Sequence, residues 1–111
     1  MNFELQKLLF PSNCQIIKND FTIYDPETEY SEENSIYNLT DYLLQIEFVK
    51  SNIVVDLGWY GDFETNNEYF KIVVLKNSDW ENPLKIEISK SQRKINEKLN
   101  AILMEINQLQ K

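Results

Sequence analysis

Two stretches decide the fold: Tyr42-Leu43-Leu44-Gln45-Ile46-Glu47-Phe48 and Ile53-Val54-Val55-Asp56-Leu57-Gly58-Trp59. In the first, Tyr42, Leu44, Ile46 and Phe48 alternate with other residues; in the second, Ile53, Val55, Leu57 and Trp59 do the same. A period of two places each set on one face of a strand, and Lys50-Ser51-Asn52 is a suitable short connection between the strands. Working outward, Tyr69-Phe70-Lys71-Ile72-Val73-Val74-Leu75 is dense in aromatic and β-branched residues and reads as a central strand. Asn77-Ser78-Asp79 turns the chain and Asn82-Pro83 punctuates it again. Leu84, Ile86 and Ile88 then alternate with Lys85 and Glu87 as a last strand whose other face is solvated.

Beyond Ser89 the period changes. Ile95, Leu99, Ile102, Ile106 and Leu109 recur at spacings of three and four, the apolar stripe of an amphipathic helix that packs across the sheet. Ser89 with Gln92 three residues later resembles a capping box at its start. Toward the N-terminus, Leu8-Leu9-Phe10 could be helix or strand, while Ile16-Ile17 and Phe21-Thr22-Ile23-Tyr24 look like short strands joined by a turn. Residues 25–35 have no apolar period and begin with Asp-Pro, so they read as an exposed loop. Residues 1–111 thus read as a single α+β domain: an antiparallel sheet of four or more strands packed against a long C-terminal amphipathic helix.

Charge is segregated along the chain. The net charge is −7, yet residues 20–68 hold twelve acids against one base, Lys50, while residues 69–111 hold five acids and eight bases. Such a field repels nucleic acid and anionic membranes, which are bound through cationic side chains, and attracts basic partners. A solubilising surface is the plainer reading of the same run. With no long apolar run and no signal-like N-terminus, the expected address is cytoplasmic, without membrane contact.

The sequence contains no histidine, one cysteine (Cys14) and two glycines (Gly58 and Gly61). The commonest general base is missing, a zinc or iron–sulfur site has no ligand set, and a glycine-rich phosphate cradle is excluded. No cofactor is expected. An enzyme would have to work with acids alone, with Asp56, Asp62, Glu64 and Glu81 as candidates, and none shows a motif that specifies such chemistry. The expectation is therefore a protein that binds rather than one that transforms.

Asp56-Leu57-Gly58-Trp59-Tyr60-Gly61-Asp62 is the most distinctive local stretch. Gly58 within a strand suggests a bulge or a close approach of another chain, and Gly61 a turn. Trp59 and Tyr60 point to opposite faces, so either one is an exposed aromatic beside carboxylates, the composition of a binding hot spot, or both complete the core and its rim.

Three stretches, Asp56-Leu57-Gly58-Trp59-Tyr60, Tyr69-Phe70-Lys71-Ile72-Val73-Val74-Leu75-Lys76 and Trp80-Glu81-Asn82-Pro83-Leu84, together with the terminal helix, carry a resemblance over roughly the second half of the chain. It resembles the small acidic immunity proteins of bacterial polymorphic-toxin and contact-dependent growth inhibition systems, in style rather than by a diagnostic motif. That resemblance implies a cytosolic protein that binds one cognate, basic toxin, often a nuclease, and blocks its active site or substrate surface. Loops carrying Asp25, Glu27, Glu29, Glu32, Glu33, Asp62, Glu64 and Glu68 would then occupy the phosphate-binding surface as a substrate mimic, with Trp59 and Tyr60 as aromatic anchors. The alternative is a non-catalytic accessory or interaction domain that forms a homodimer through an open sheet edge.

Overall fold

The computed structural model describes residues 3–62, 64, 65 and 67–109. Five strands form one antiparallel meander in chain order: β1 (Gln15–Asn19), β2 (Leu44–Phe48), β3 (Ile53–Asp62), β4 (Asn67–Lys76) and β5 (Lys85–Ser89). Each strand turns back on its predecessor, so neighbours in sequence are neighbours in the sheet. The register pairs Ile46 with Val55, Leu57 with Ile72 and Trp59 with Phe70, which stacks the alternating apolar residues of β2, β3 and β4 on one face. Helix α3 (Gln92–Leu109) covers that face with Ile95, Leu99, Ile102, Leu103 and Ile106, all buried. Each such aliphatic side chain contributes about 1.5–3 kcal/mol by leaving water. Leu109, assigned to the same stripe by its spacing, is exposed.

The turns follow residue chemistry. Phe48 pairs with Ile53 across a four-residue loop in which Asn52 takes φ 55° and its N–H bonds the Val49 carbonyl at 3.3 Å. Asn77 and Ser78 both adopt left-handed φ (56° and 57°), and the Asp79 N–H closes on the Lys76 carbonyl at 3.2 Å. That is the geometry of a type I′ turn.

Several expectations need correction, among them a turn at Gly61, which lies within β3 opposite Glu68. First, residues 25–35 are not a loop: α1 (Pro26–Glu29) and α2 (Glu32–Asn38) occupy this stretch. Caps and buried polar groups hold them where an apolar stripe is missing. Asp25 accepts from the Glu27 N–H at 3.0 Å and Ser31 from the Asn34 N–H at 3.2 Å. Buried Tyr24 receives the Ser31 N–H on its hydroxyl at 3.1 Å and meets the Ser35 hydroxyl at 3.1 Å. Buried Asn38 donates to the Asn34 carbonyl at 2.8 Å and accepts from the Thr22 hydroxyl at 2.9 Å.

Second, β5 exists, but its faces are reversed from the expectation. Ile86 pairs with Val73 and so lies on the side of the sheet away from α3, whereas Lys85 and Glu87 face the helix and form ion pairs with Glu105 (3.5 Å) and Lys98 (2.9 Å). Third, the helix start uses Ser91, not Ser89. The Ser91 hydroxyl accepts from the Lys94 N–H at 3.2 Å, while Gln92 is buried and ties α3 to the N-terminal segment through the Thr22 carbonyl (2.9 Å) and the Gln6 side-chain oxygen (2.6 Å).

Of the N-terminal apolar groups, Ile16-Ile17 lie in β1, with a bulge between Ile16 and Lys18. Leu8-Leu9-Phe10 is neither helix nor strand, and the stretch 21–24 makes one isolated bridge, Leu5 with Thr22, while Phe21 and Tyr24 enter the core. Among the described residues, no helix is long and apolar enough to cross a membrane.

Candidate functional site: an acidic groove floored by Trp59

The β3–β4 ladder brings Trp59 and Glu68 together. Glu68 lies two residues before Phe70, the cross-strand partner of Trp59, so period-two geometry puts both side chains on the helix-bearing face. The Trp59 indole N–H donates to the Glu68 carboxylate at 2.9 Å, and the indole meets the Phe70 ring edge-on, with centroids 4.8 Å apart and planes at 74°. Trp59 is thereby locked from two sides while part of its ring stays accessible.

The α1–α2 segment stands beside this ring and closes a groove. Two adjoining hollows, of about 270 and 220 Å³, share Tyr30, Trp59 and Glu68. The first is completed by Glu32, Ser35, Ile36 and Leu39, the second by Pro26, Glu27 and Lys90. Tyr30 (56% exposed) and Ile36 (70%) stand proud of the surface beside the groove. The groove thus carries three carboxylates, Glu27, Glu32 and Glu68, around an aromatic floor, with Lys90 at one end.

Four of the sequence-chosen residues, Glu27, Glu32, Trp59 and Glu68, therefore converge. Asp25, Glu33, Glu64 and Tyr60 do not join them. Asp25 caps α1, Glu33 is exposed in the first turn of α2, and Glu64 sits in the β3–β4 turn. The side chains of Glu29 and Asp62 lie outside the described residues. Tyr60 points to the opposite face of the sheet, where its hydroxyl donates to the Asp41 carbonyl at 3.0 Å and the Lys71 ammonium lies 5.6 Å from its ring centroid. Sequence reasoning missed Tyr30, which lay in the stretch 25–35 read as a loop, and Ile36 and Leu39, which lay between that stretch and the first clear strand pattern at Tyr42, so nothing placed them beside Trp59.

A second acidic spot occupies that opposite face. Asp56, 6% exposed, pairs across the ladder with Val73, and burial, followed by the nearby Asp41 charge, raises its pKa above the usual aspartate value. Burial also raises the Tyr60 phenol, with the Asp56 and Asp41 charges adding to the effect. Gly58 lies between them, and the Asp41 carbonyl comes so close that any β-carbon there would overlap it. The close approach at Gly58 is thus made by the chain's own 40–42 segment, where another chain was expected. The other enzyme candidate with a described side chain besides Glu64, Glu81, is exposed in the β4–β5 connection. Among the described residues, no group of three or more acids and cysteines is arranged to hold a metal ion.

Comparison with protein-family models, with curated proteins and with solved structures finds no match to this chain.

Proposed function

We propose that this chain is an immunity-type binding protein that captures a basic protein toxin through the groove around Trp59. The observation that carries the reading is the convergence of Glu27, Glu32 and Glu68 on a partly exposed, rigidly held indole, flanked by exposed Tyr30 and Ile36. An arginine or lysine from the partner would find a ring face for its cation and carboxylates for its N–H donors, and apolar neighbours would contact the Tyr30 and Ile36 side chains. The long acidic run through residues 20–68 would speed the encounter, and the anchored ring would slow release. A nuclease is the natural target class, since its substrate surface is basic.

The test is affinity capture with the tagged chain from its native host at low and moderate salt, paired with a Glu27→Lys/Glu32→Lys variant. A single stoichiometric basic protein is expected, weakened by salt and lost with the variant, whose purified toxic activity the wild-type chain blocks and the variant does not. Equal capture or equal inhibition by the variant, or recovery of the bait alone, would overturn the assignment.

A further inference from the structure

β5 is a sheet edge: β4 pairs with one side of it, and among the described residues no strand pairs with the other. An open edge presents unpaired backbone N–H and C=O groups, a template for another strand. On the face of the sheet away from α3, this edge displays Ile86 (49% exposed) and Ile88 (53%), an apolar display that ordinary edge strands avoid. On the other face stand Lys85 and Glu87, opposite charges two residues apart around Ile86.

We infer that β5 pairs antiparallel with β5 of a second copy about a two-fold axis at Ile86, joining two five-stranded sheets into one. The charge pattern selects both the occupant and the register. Centred on Ile86, the pairing sets Lys85 opposite Glu87 of the second copy, twice over by symmetry, and places the two Ile86 side chains together on the open face. Centred on Glu87, it would oppose the two Glu87 carboxylates, and centred on Lys85 the two ammonium groups. The existing ion pairs extend the complementarity. Lys98 already bonds Glu87 and Glu105 already bonds Lys85, so the junction becomes an alternating row of Lys98, Glu87, then Lys85 and Glu105 of the second copy. This surface is separate from the groove floored by Trp59, and its test reads a different quantity.

The experiment is light scattering of the full chain across a concentration series, with far-UV circular dichroism to verify the fold of each variant. The wild-type chain should run at twice its monomer mass, and Ile86→Asp, at a site already half exposed, should return it to the monomer mass. Lys85→Glu and Glu87→Lys should each be monomeric, because each alone sets like charges opposite one another. Mixing these two variants should restore a mass of two chains, since Glu at 85 of the first then meets Lys at 87 of the second, and the native Glu87 of the first meets the native Lys85 of the second. A monomeric wild-type chain, a dimer that survives Ile86→Asp, or a mixture no heavier than its parts would each overturn the inference.

Discussion

The Trp59 indole N–H points straight at the Glu68 carboxylate, 2.9 Å away, and this bond fixes the floor of the acidic groove. Glu68→Ala removes the acceptor and leaves a part-buried N–H to find water, which should cost about 1–2 kcal/mol of stability. Glu68→Gln keeps an acceptor oxygen and should cost less, while still weakening capture of a basic partner. Urea unfolding followed by indole emission measures the first effect. Equal stability of the alanine and wild-type chains would show that the bond does not hold the ring.

How much of this was legible beforehand depends on which interactions hold each part. Wherever apolar side chains do the work, periodicity reveals the element: β2, β3, β4 and α3 bury most of the residues chosen by spacing, from Leu44 and Val55 to Ile95 and Ile102, while Tyr42, ahead of β2, and Leu109 stay exposed. Wherever hydrogen bonds do the work, it does not. Helices α1 and α2 rest on Asp25, Ser31, Tyr24 and Asn38, and their exposed Ile36 and Tyr37 break any apolar stripe. The acids Glu27 and Glu32 could be chosen from charge density, but their meeting with Trp59 could not. For β5, alternation alone gives two apolar-face choices, and the pairing of Lys85 and Glu87 with α3 decides between them.

Gly58 supplies a second prediction. Gly58→Ala would drive its methyl into the Asp41 carbonyl and to 2.8 Å from the Tyr60 ring. The obstructing atoms are backbone and a ring whose hydroxyl is tied to that same carbonyl, so neither yields freely. The expected loss is about 1–3 kcal/mol, the usual cost of overpacking. A melting temperature unchanged from the wild type would mean that the 40–42 segment can lift away from β3.

Two carboxylates should titrate with opposite consequences. Asp56 has a folded pKa raised above 3.8 by burial and by Asp41, so its favourable contribution is present below 3.8 and lost as pH rises through the folded value. Asp56→Asn should therefore raise the melting temperature at pH 7, with the gain shrinking on acidification. Glu87 has its pKa lowered below 4.5, chiefly by the hydrogen bond from Lys98, with the Lys98 and Lys85 charges adding to it, so its contribution is present above 4.5 and lost as pH falls through the folded value. Glu87→Gln should cost about 0.5 kcal/mol at pH 7, as a partly exposed ion pair does, and nothing in acid. Melting curves between pH 7 and pH 3 on the two variants should diverge from the wild type in opposite directions at neutral pH and approach it in acid. Parallel curves would remove either residue from the pH dependence.

The turn after β4 yields the last prediction, because two adjacent residues share one backbone conformation but not one role. Asn77 and Ser78 both sit at left-handed φ, which costs a residue with a β-carbon roughly 1–2 kcal/mol relative to glycine. Asn77 recovers part of that through its side-chain oxygen, which accepts from the Asn52 amide at 2.8 Å, while its own N–H bonds the Asn52 carbonyl at 2.9 Å. These bonds clip the β2–β3 turn to the β4–β5 turn. Exposed Ser78 stands at the same φ and, among the described residues, makes no side-chain bond across the turns, so Ser78→Gly relieves strain and loses no such clip. After the added flexibility of the unfolded chain is subtracted, Ser78→Gly should stabilise the fold by about 0.5 kcal/mol. Asn77→Gly should gain nothing, since the relief is offset by the lost amide bond. Denaturant midpoints of the two variants, compared at equal m-value, check the contrast, and a gain from Asn77→Gly as large as that from Ser78→Gly would show that the clip between the two turns contributes nothing.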